Sequence, residues 1–331
     1  MPSVDRTLGA GVARRFEERV EAVARAVAQP DVPEHRALLK KTLKGKQGYL
    51  ISRAAKAVAA DDDLVPVARE AFTTLLEDPI KRDPQCYGKT AIATALYEAD
   101  VRSEALFLAG VAHVQLEPVL GGRQDTAAEL RGVCLMALVH AQHPRALVLA
   151  AAMLADPERA ARLAALRALE ASGRPEIAEP LLRLRLELGE DDGEVLTDCM
   201  AGLLEIDATA NLPLLSRRID GSDATVADAA ALAIGSARPA GALEVLQRHA
   251  GRTIDPARRR TLLLAMAMLR TDAAWQHLVE LVMDGERAEA IDAVDALATF
   301  REQGDLHARV EAAVLDRGDP DVSARFERAF A

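Results

Sequence analysis

The stretch that comes nearest to spelling a reaction is Asp83-Pro84-Gln85-Cys86-Tyr87-Gly88-Lys89-Thr90. A Gly-Lys-Thr ending is how a phosphate-cradling loop closes, with backbone amides and the lysine facing the phosphates. That loop needs a glycine at its first position and a strand before it. Here Asp83 stands first, Pro84 carries no amide, and helical sequence precedes. The residues read instead as a helix start, with Asp83 as cap and Lys89 on a solvated face.

A second group crowds the Gly121-Gly122 turn: His113, Gln115, Glu117, Arg123, Asp125, Glu129 and Arg131. One reading makes these seven a recognition site for a protein partner, on the segment 112–131. The other makes them an ion-pair and capping network that satisfies its own backbone. Thr126-x-x-Glu129 has the form of a capping box, with Asp125 as an alternative cap.

Residues 36–56 carry seven basic side chains and no acid, in a chain of net charge −10. Lys40, Lys41, Lys44, Lys46, Arg53 and Lys56 form a candidate patch for an anionic partner. The bland alternative is a solvated helix face. Nucleic acid would need aromatic platforms as well as cations, and in the sequence only Tyr49 lies close by.

His140-x-x-His143 sits at a helix end before Pro144, where an imidazole suits the helix dipole. No carboxylate accompanies the pair at metal-ligand spacing, so no metal is expected. Cys86, Cys134 and Cys199 lie far apart, with no Cys-x-x-Cys and no evident base beside any of them. No nucleophile–base constellation is apparent and no cofactor is implied. The expectation is that the chain is not an enzyme.

The elements that hold these residues are read from composition and period. The chain is 50% apolar and 28% charged, but only 3% aromatic. Alanine and leucine rich sequence with few aromatics favours helices packed through small side chains. The segment 155–173 opens with Asp156-Pro157, carries Leu163, Leu166, Ala168 and Leu169 at helical spacing, and stops at Gly173. A second apolar helix follows. The paragraph recurs, with equivalent positions at Ala161, Val195, Val226, Arg259, Ala288 and Val322, steps of 29 to 34 residues. Such a period built from two helices marks an array in which each pair hides its apolar face against the next. In the first third, helices are expected near 11–28, 34–44, 48–60, 64–77, 86–99 and 102–111. The segment 112–124 breaks the period as a long connecting loop.

The run Arg162-Leu163-Ala164-Ala165-Leu166-Arg167-Ala168-Leu169 after its Asp-Pro turn resembles bacterial HEAT repeats of the phycobilisome-lyase kind. The resemblance implies an all-α, right-handed α-solenoid (superhelix) of two-helix HEAT-like repeats. The expected layout is irregular repeats over 1–111, the loop at 112–124, and regular repeats over 125–331, as one continuous solenoid. The functional expectation is a scaffold that binds a protein partner through its concave face and the 112–131 loop. The resemblance also opens two alternatives: a lyase-type or chaperone-like protein acting on a client, and a nucleic-acid binder using the 36–56 patch. Three scattered cysteines suit a reducing, cytoplasmic setting. The longest uncharged run, Gly132 to Pro144, is too short to span a bilayer, so no membrane partner is expected.

Overall fold

The computed structural model describes residues 4–331. The chain divides into two units, one ending at Arg174 and one spanning Pro175–Ala331. The first holds α1 (Val4–Ala28), α2 (Pro33–Leu43), α3 (Gly48–Ala55), α4 (Val65–Glu77), α5 (Pro79–Arg82), α6 (Tyr87–Glu98) and α7 (Glu104–Val111). A β-hairpin follows, β1 (Leu116–Val119) and β2 (Gly122–Asp125), and then α8 (Ala128–His140), α9 (Ala146–Met153) and α10 (Arg159–Ala171). Helices α3, α6, α8 and α10 pack side by side in one row, with α4, α7 and α9 laid against it.

The second unit repeats this arrangement more regularly. Its helices are α11 (Pro175–Leu188), α12 (Gly193–Ile206), α13 (Ala208–Ile219), α14 (Ala224–Ala237), α15 (Ala242–Ala250), α16 (Pro256–Met268), α17 (Asp272–Asp284), α18 (Arg287–Ala298), α19 (Leu306–Arg317) and α20 (Pro320–Phe330). The even-numbered helices form one row and the odd-numbered ones cover it. Each unit is thus a stack of helix pairs, the all-α solenoid class that the period predicts.

Local sequence explains where the repeats begin. Asp192, Asp223, Asp255 and Asp319 each accept a hydrogen bond from the first-turn amides of α12, α14, α16 and α20. These groups would otherwise lack partners. Asp156 departs from the pattern: α10 starts only at Arg159, and its side chain accepts instead from Arg131 and from the Glu158 amide.

Small residues set how closely the rows approach. Ala227, Ala229, Ala230, Ala231 and Ala233 of α14 are all buried. A Cβ on Gly235 would lie 2.5 Å from the Ala265 carbonyl oxygen and 2.9 Å from its Cα, backbone that cannot swing aside. Polar ties then join successive repeats. Arg259 pairs with Asp292 at 2.7 Å and Arg287 with Asp319 at 2.9 Å, each one repeat further on.

The segment 112–124 is not an open loop. Leu116 pairs with Asp125 and Val119 with Gly122, closed by a turn at Leu120-Gly121 in which Gly121 takes a φ of 94°. Among the described residues no helix is long and apolar enough to cross a membrane. Nor do three or more His, Cys, Asp or Glu side chains gather there as a metal-holding group.

Gly235→Ala should force α14 and α16 apart and lower stability by about 1–3 kcal/mol, the usual cost of overpacking. Gly193→Ala, whose Cβ would meet only Thr225 Cγ2 at 3.7 Å, should cost little. Urea unfolding of both variants checks the contrast.

Candidate functional site

The Asp83–Thr90 stretch is neither a phosphate loop nor a plain solvated helix start. Asp83 does act as a cap, its carboxylate accepting from the Gly88 amide at 2.7 Å and the Lys89 amide at 2.9 Å. Lys89, however, is wholly buried, and its Nζ lies 3.0 Å from Asp83 Oδ2. The expectation of a solvated Lys89 is therefore corrected. An ammonium beside a buried carboxylate is held in place by that partner. Gln85 and Cys86 take left-handed conformations, φ 60° and 58°, before α6 begins at Tyr87. Burial pushes the Cys86 thiol up to about 12, so it is no ready nucleophile.

The turn cluster joins this motif. Gln115 Nε2 donates to the Asp83 carbonyl at 2.9 Å and to Glu117 Oε1 at 2.7 Å. The same Glu117 oxygen accepts from the Gln85 amide at 2.6 Å and the Thr126 hydroxyl at 2.7 Å. Among the described residues no cation lies within ion-pair distance of Glu117. Asp125 accepts from the Gln115 and Ala127 amides and pairs with Arg131 at 2.6 Å; Arg131 reaches on to Asp156 at 2.9 Å. The expected capping box does not form, because Thr126 turns to Glu117 and α8 starts at Ala128 with no side-chain cap.

Gln115, Glu117, Asp125 and Arg131 are therefore buried and bonded to one another, and cannot themselves meet a partner. His113 is half-buried against Gln115, and burial lowers its pKa. Arg123 and Glu129 remain exposed. Burial by itself would raise the pKa values of Glu117 and Asp125. The donors around each outweigh it and hold both below the ordinary carboxylate values.

Glu117 and Asp125 of the hairpin are turned inward, whereas its aliphatic side chains face water. Leu116, Val119 and Leu120 are all exposed, Leu120 completely. Beside the hairpin base, Gln85 and Tyr87 form part of a cleft of about 550 Å³ between α3 and α6. Tyr49, Ser52, Arg53 and Lys56 line one wall; Tyr87, Thr90, Thr94 and Glu98 line the other at helical spacing. Glu129 of α8 also lines the cleft.

The basic segment splits in two. Arg36 and Lys40 pair with Asp61 and Asp63, and Lys44 with Glu70, which neutralises that side. Lys41 is exposed, Arg53 and Lys56 line the cleft, and Lys46 lines a smaller hollow beside it. His140 and His143 line one hollow of about 240 Å³ with Asp100 and Glu104: His143 lies 3.1 Å from Glu104, and His140 lies 3.5 Å from Asp100 and edge-on to Tyr97. Tyr87 was missed in the sequence, masked by the motif it stands in. The stripe Tyr87, Thr90, Thr94, Glu98, opposite the buried Ile92 and Leu96, is the signal that could have found it.

No family model and no curated protein matches the chain. Two solved structures are similar at a TM-score of 0.37. One is the complex of CpcE and CpcF of phycocyanin lyase from Nostoc sp. PCC7120, 18% identical over 76% of this chain and 94% of that one. The other is an engineered protein, 16% identical over 94% and 92%. The expectation that the chain is not an enzyme is corrected: the first of these belongs to a lyase, and the lack of a recognisable catalytic set excludes no activity.

Lys89→Met should leave Asp83 charged and buried with its two amides alone, costing about 3–5 kcal/mol in urea unfolding. The carboxylates carry a pH signature. Their folded pKa values lie below the ordinary 4.5 of Glu and 3.8 of Asp, so their contribution is complete above those values. It is lost as pH falls through the depressed folded values. Glu117→Gln should remove part of that acid sensitivity and set amide donors against one another, costing about 1–3 kcal/mol at neutral pH. Unfolding curves across the acid range check both.

Proposed function

We propose that the chain holds a protein partner, docked on the hairpin and the adjoining face of the first unit. The observation that supports this is the reversed polarity of β1: Glu117 lies buried at 5% exposure, while Leu120 at the tip is fully exposed. Covering an aliphatic side chain of this kind is worth about 1.5–3 kcal/mol, enough for a few to anchor an interface. Arg123 and Gln124, exposed on β2, would form the polar rim. On this reading the seven residues around the turn divide their labour. Gln115, Glu117, Asp125 and Arg131 position the hairpin, and the apolar residues between them make the contact. The reading holds for a client that is chemically altered as much as for one that is merely held.

A photo-crosslinking residue placed at Leu120, with Val148 and Leu315 as controls of similar exposure and character, tests this in the protein's native extract. A discrete adduct from position 120 is expected, absent from the controls and abolished by Leu116→Asp with Val119→Asp. Equal labelling from all three positions, or none from 120, would contradict it.

A further inference from the structure

We infer that the cleft between α3 and α6 binds a short single-stranded nucleic acid segment. The inference stands apart from the docking role of the hairpin. It rests on the convergence, in a chain with ten aromatic residues, of Phe16, Tyr49 and Tyr87 at one place. The Phe16 and Tyr49 ring centroids lie 5.9 Å apart, and Tyr49 and Tyr87 meet edge to face at 6.5 Å. Tyr49 is 45% and Tyr87 53% exposed, so both present ring surface to solvent. Together with Gln85 they form the waist between the cleft of about 550 Å³ and a neighbouring hollow of about 300 Å³. Open aromatic faces stack on any base, which is how such sites hold single strands without reading sequence.

Cations flank this waist on both sides. Lys46 and Lys81 border the smaller hollow, and Arg53 and Lys56 the larger. Arg82 is engaged by Glu77, but none of those four has a carboxylate within ion-pair distance among the described residues. Four free cations around stacking rings can each meet one phosphate. A duplex hides its bases from the tyrosines. Glu98 and Glu129, which also line the larger cleft, repel phosphate and limit the length of strand held. An acidic peptide would use the cations but would leave the two ring faces without a matching partner.

Fluorescence anisotropy with labelled oligothymidylate and oligouridylate of roughly twelve nucleotides tests the site. Saturable binding is expected at about 20 mM salt, weakening toward about 200 mM with a logarithmic slope of roughly −3, as four single-strand contacts imply. Tyr49→Ala and Tyr87→Ala should each weaken binding about five- to hundredfold, whereas the phenylalanine variants retain it. Lys46→Ala and Lys81→Ala should each flatten the slope by about 0.7. Unchanged thermal unfolding of these surface variants separates loss of binding from loss of fold. Absence of saturation at low salt, or alanine variants that bind like the parent, would overturn the assignment. Competition by polyglutamate as strong as by the oligonucleotide would also overturn it, and assign the cleft to acidic protein segments.

Discussion

A carboxylate removed from water must find donors inside the protein, and Glu117 finds them without a counter-charge. The Gln85 amide, the Gln115 side chain and the Thr126 hydroxyl converge on one of its oxygens. Successive side chains on a strand point to opposite faces, so holding Glu117 inward turns Leu116 outward; Val119, on the Glu117 face, is exposed beside the turn with Leu120. The exposure of Leu116 is thus a consequence of a polar interior. That interior is continuous with the Asp83–Lys89 pair through the Gln115 bond to the Asp83 carbonyl, and with the start of α10 through Arg131 and Asp156. Partly satisfied, such a network would cost more than an apolar core; with its carboxylate oxygens met, it fixes the hairpin in one orientation.

The helical stacks on either side of the hairpin obey a different constraint. Their faces are made of alanine and leucine, which specify closeness but little register. Aspartate caps fix where α12, α14, α16 and α20 begin, and Arg–Asp ties such as Arg259–Asp292 fix which turn lies beside which. Hydrophobic burial supplies the drive and charged groups supply the alignment. In the first unit the same kind of tie, Arg131 to Asp156, joins α8 to the start of α10, and the row passes the hairpin insertion where α6 packs on α8.

Periodicity carried the fold well because it is local: the spacing of Leu163, Leu166 and Leu169, and the Asp-led helix starts, depend on residues within a few turns. What the sequence could not convey was pairing across distance. Lys89 reads as solvated because an isolated lysine is costly to bury; only Asp83, folded back beneath it, makes burial acceptable. The run Gln115-Leu116-Glu117-Pro118-Val119-Leu120 alternates only over its first three residues, contains proline, and would place its polar set outward by the ordinary rule. Its inversion depends on Gln85 and Thr126, the first of them 32 residues away. The basic segment was read as one patch, whereas the partners of Arg36, Lys40 and Lys44 on α4 and the turn before it divide it, leaving the cations beside Tyr49 to the cleft. Tyr87 joins Tyr49 only through the packing of α3 on α6.

The inward-polar, outward-apolar hairpin is the claim on which the functional account turns, and methyl NMR with a soluble paramagnetic agent tests it most directly. Strong bleaching of the Leu116, Val119 and Leu120 methyls, with Leu130 and Leu135 of α8 protected, is the predicted result. Protection of the three hairpin methyls would mean that the hairpin buries its aliphatic side chains rather than presenting them to solvent, and would contradict the account.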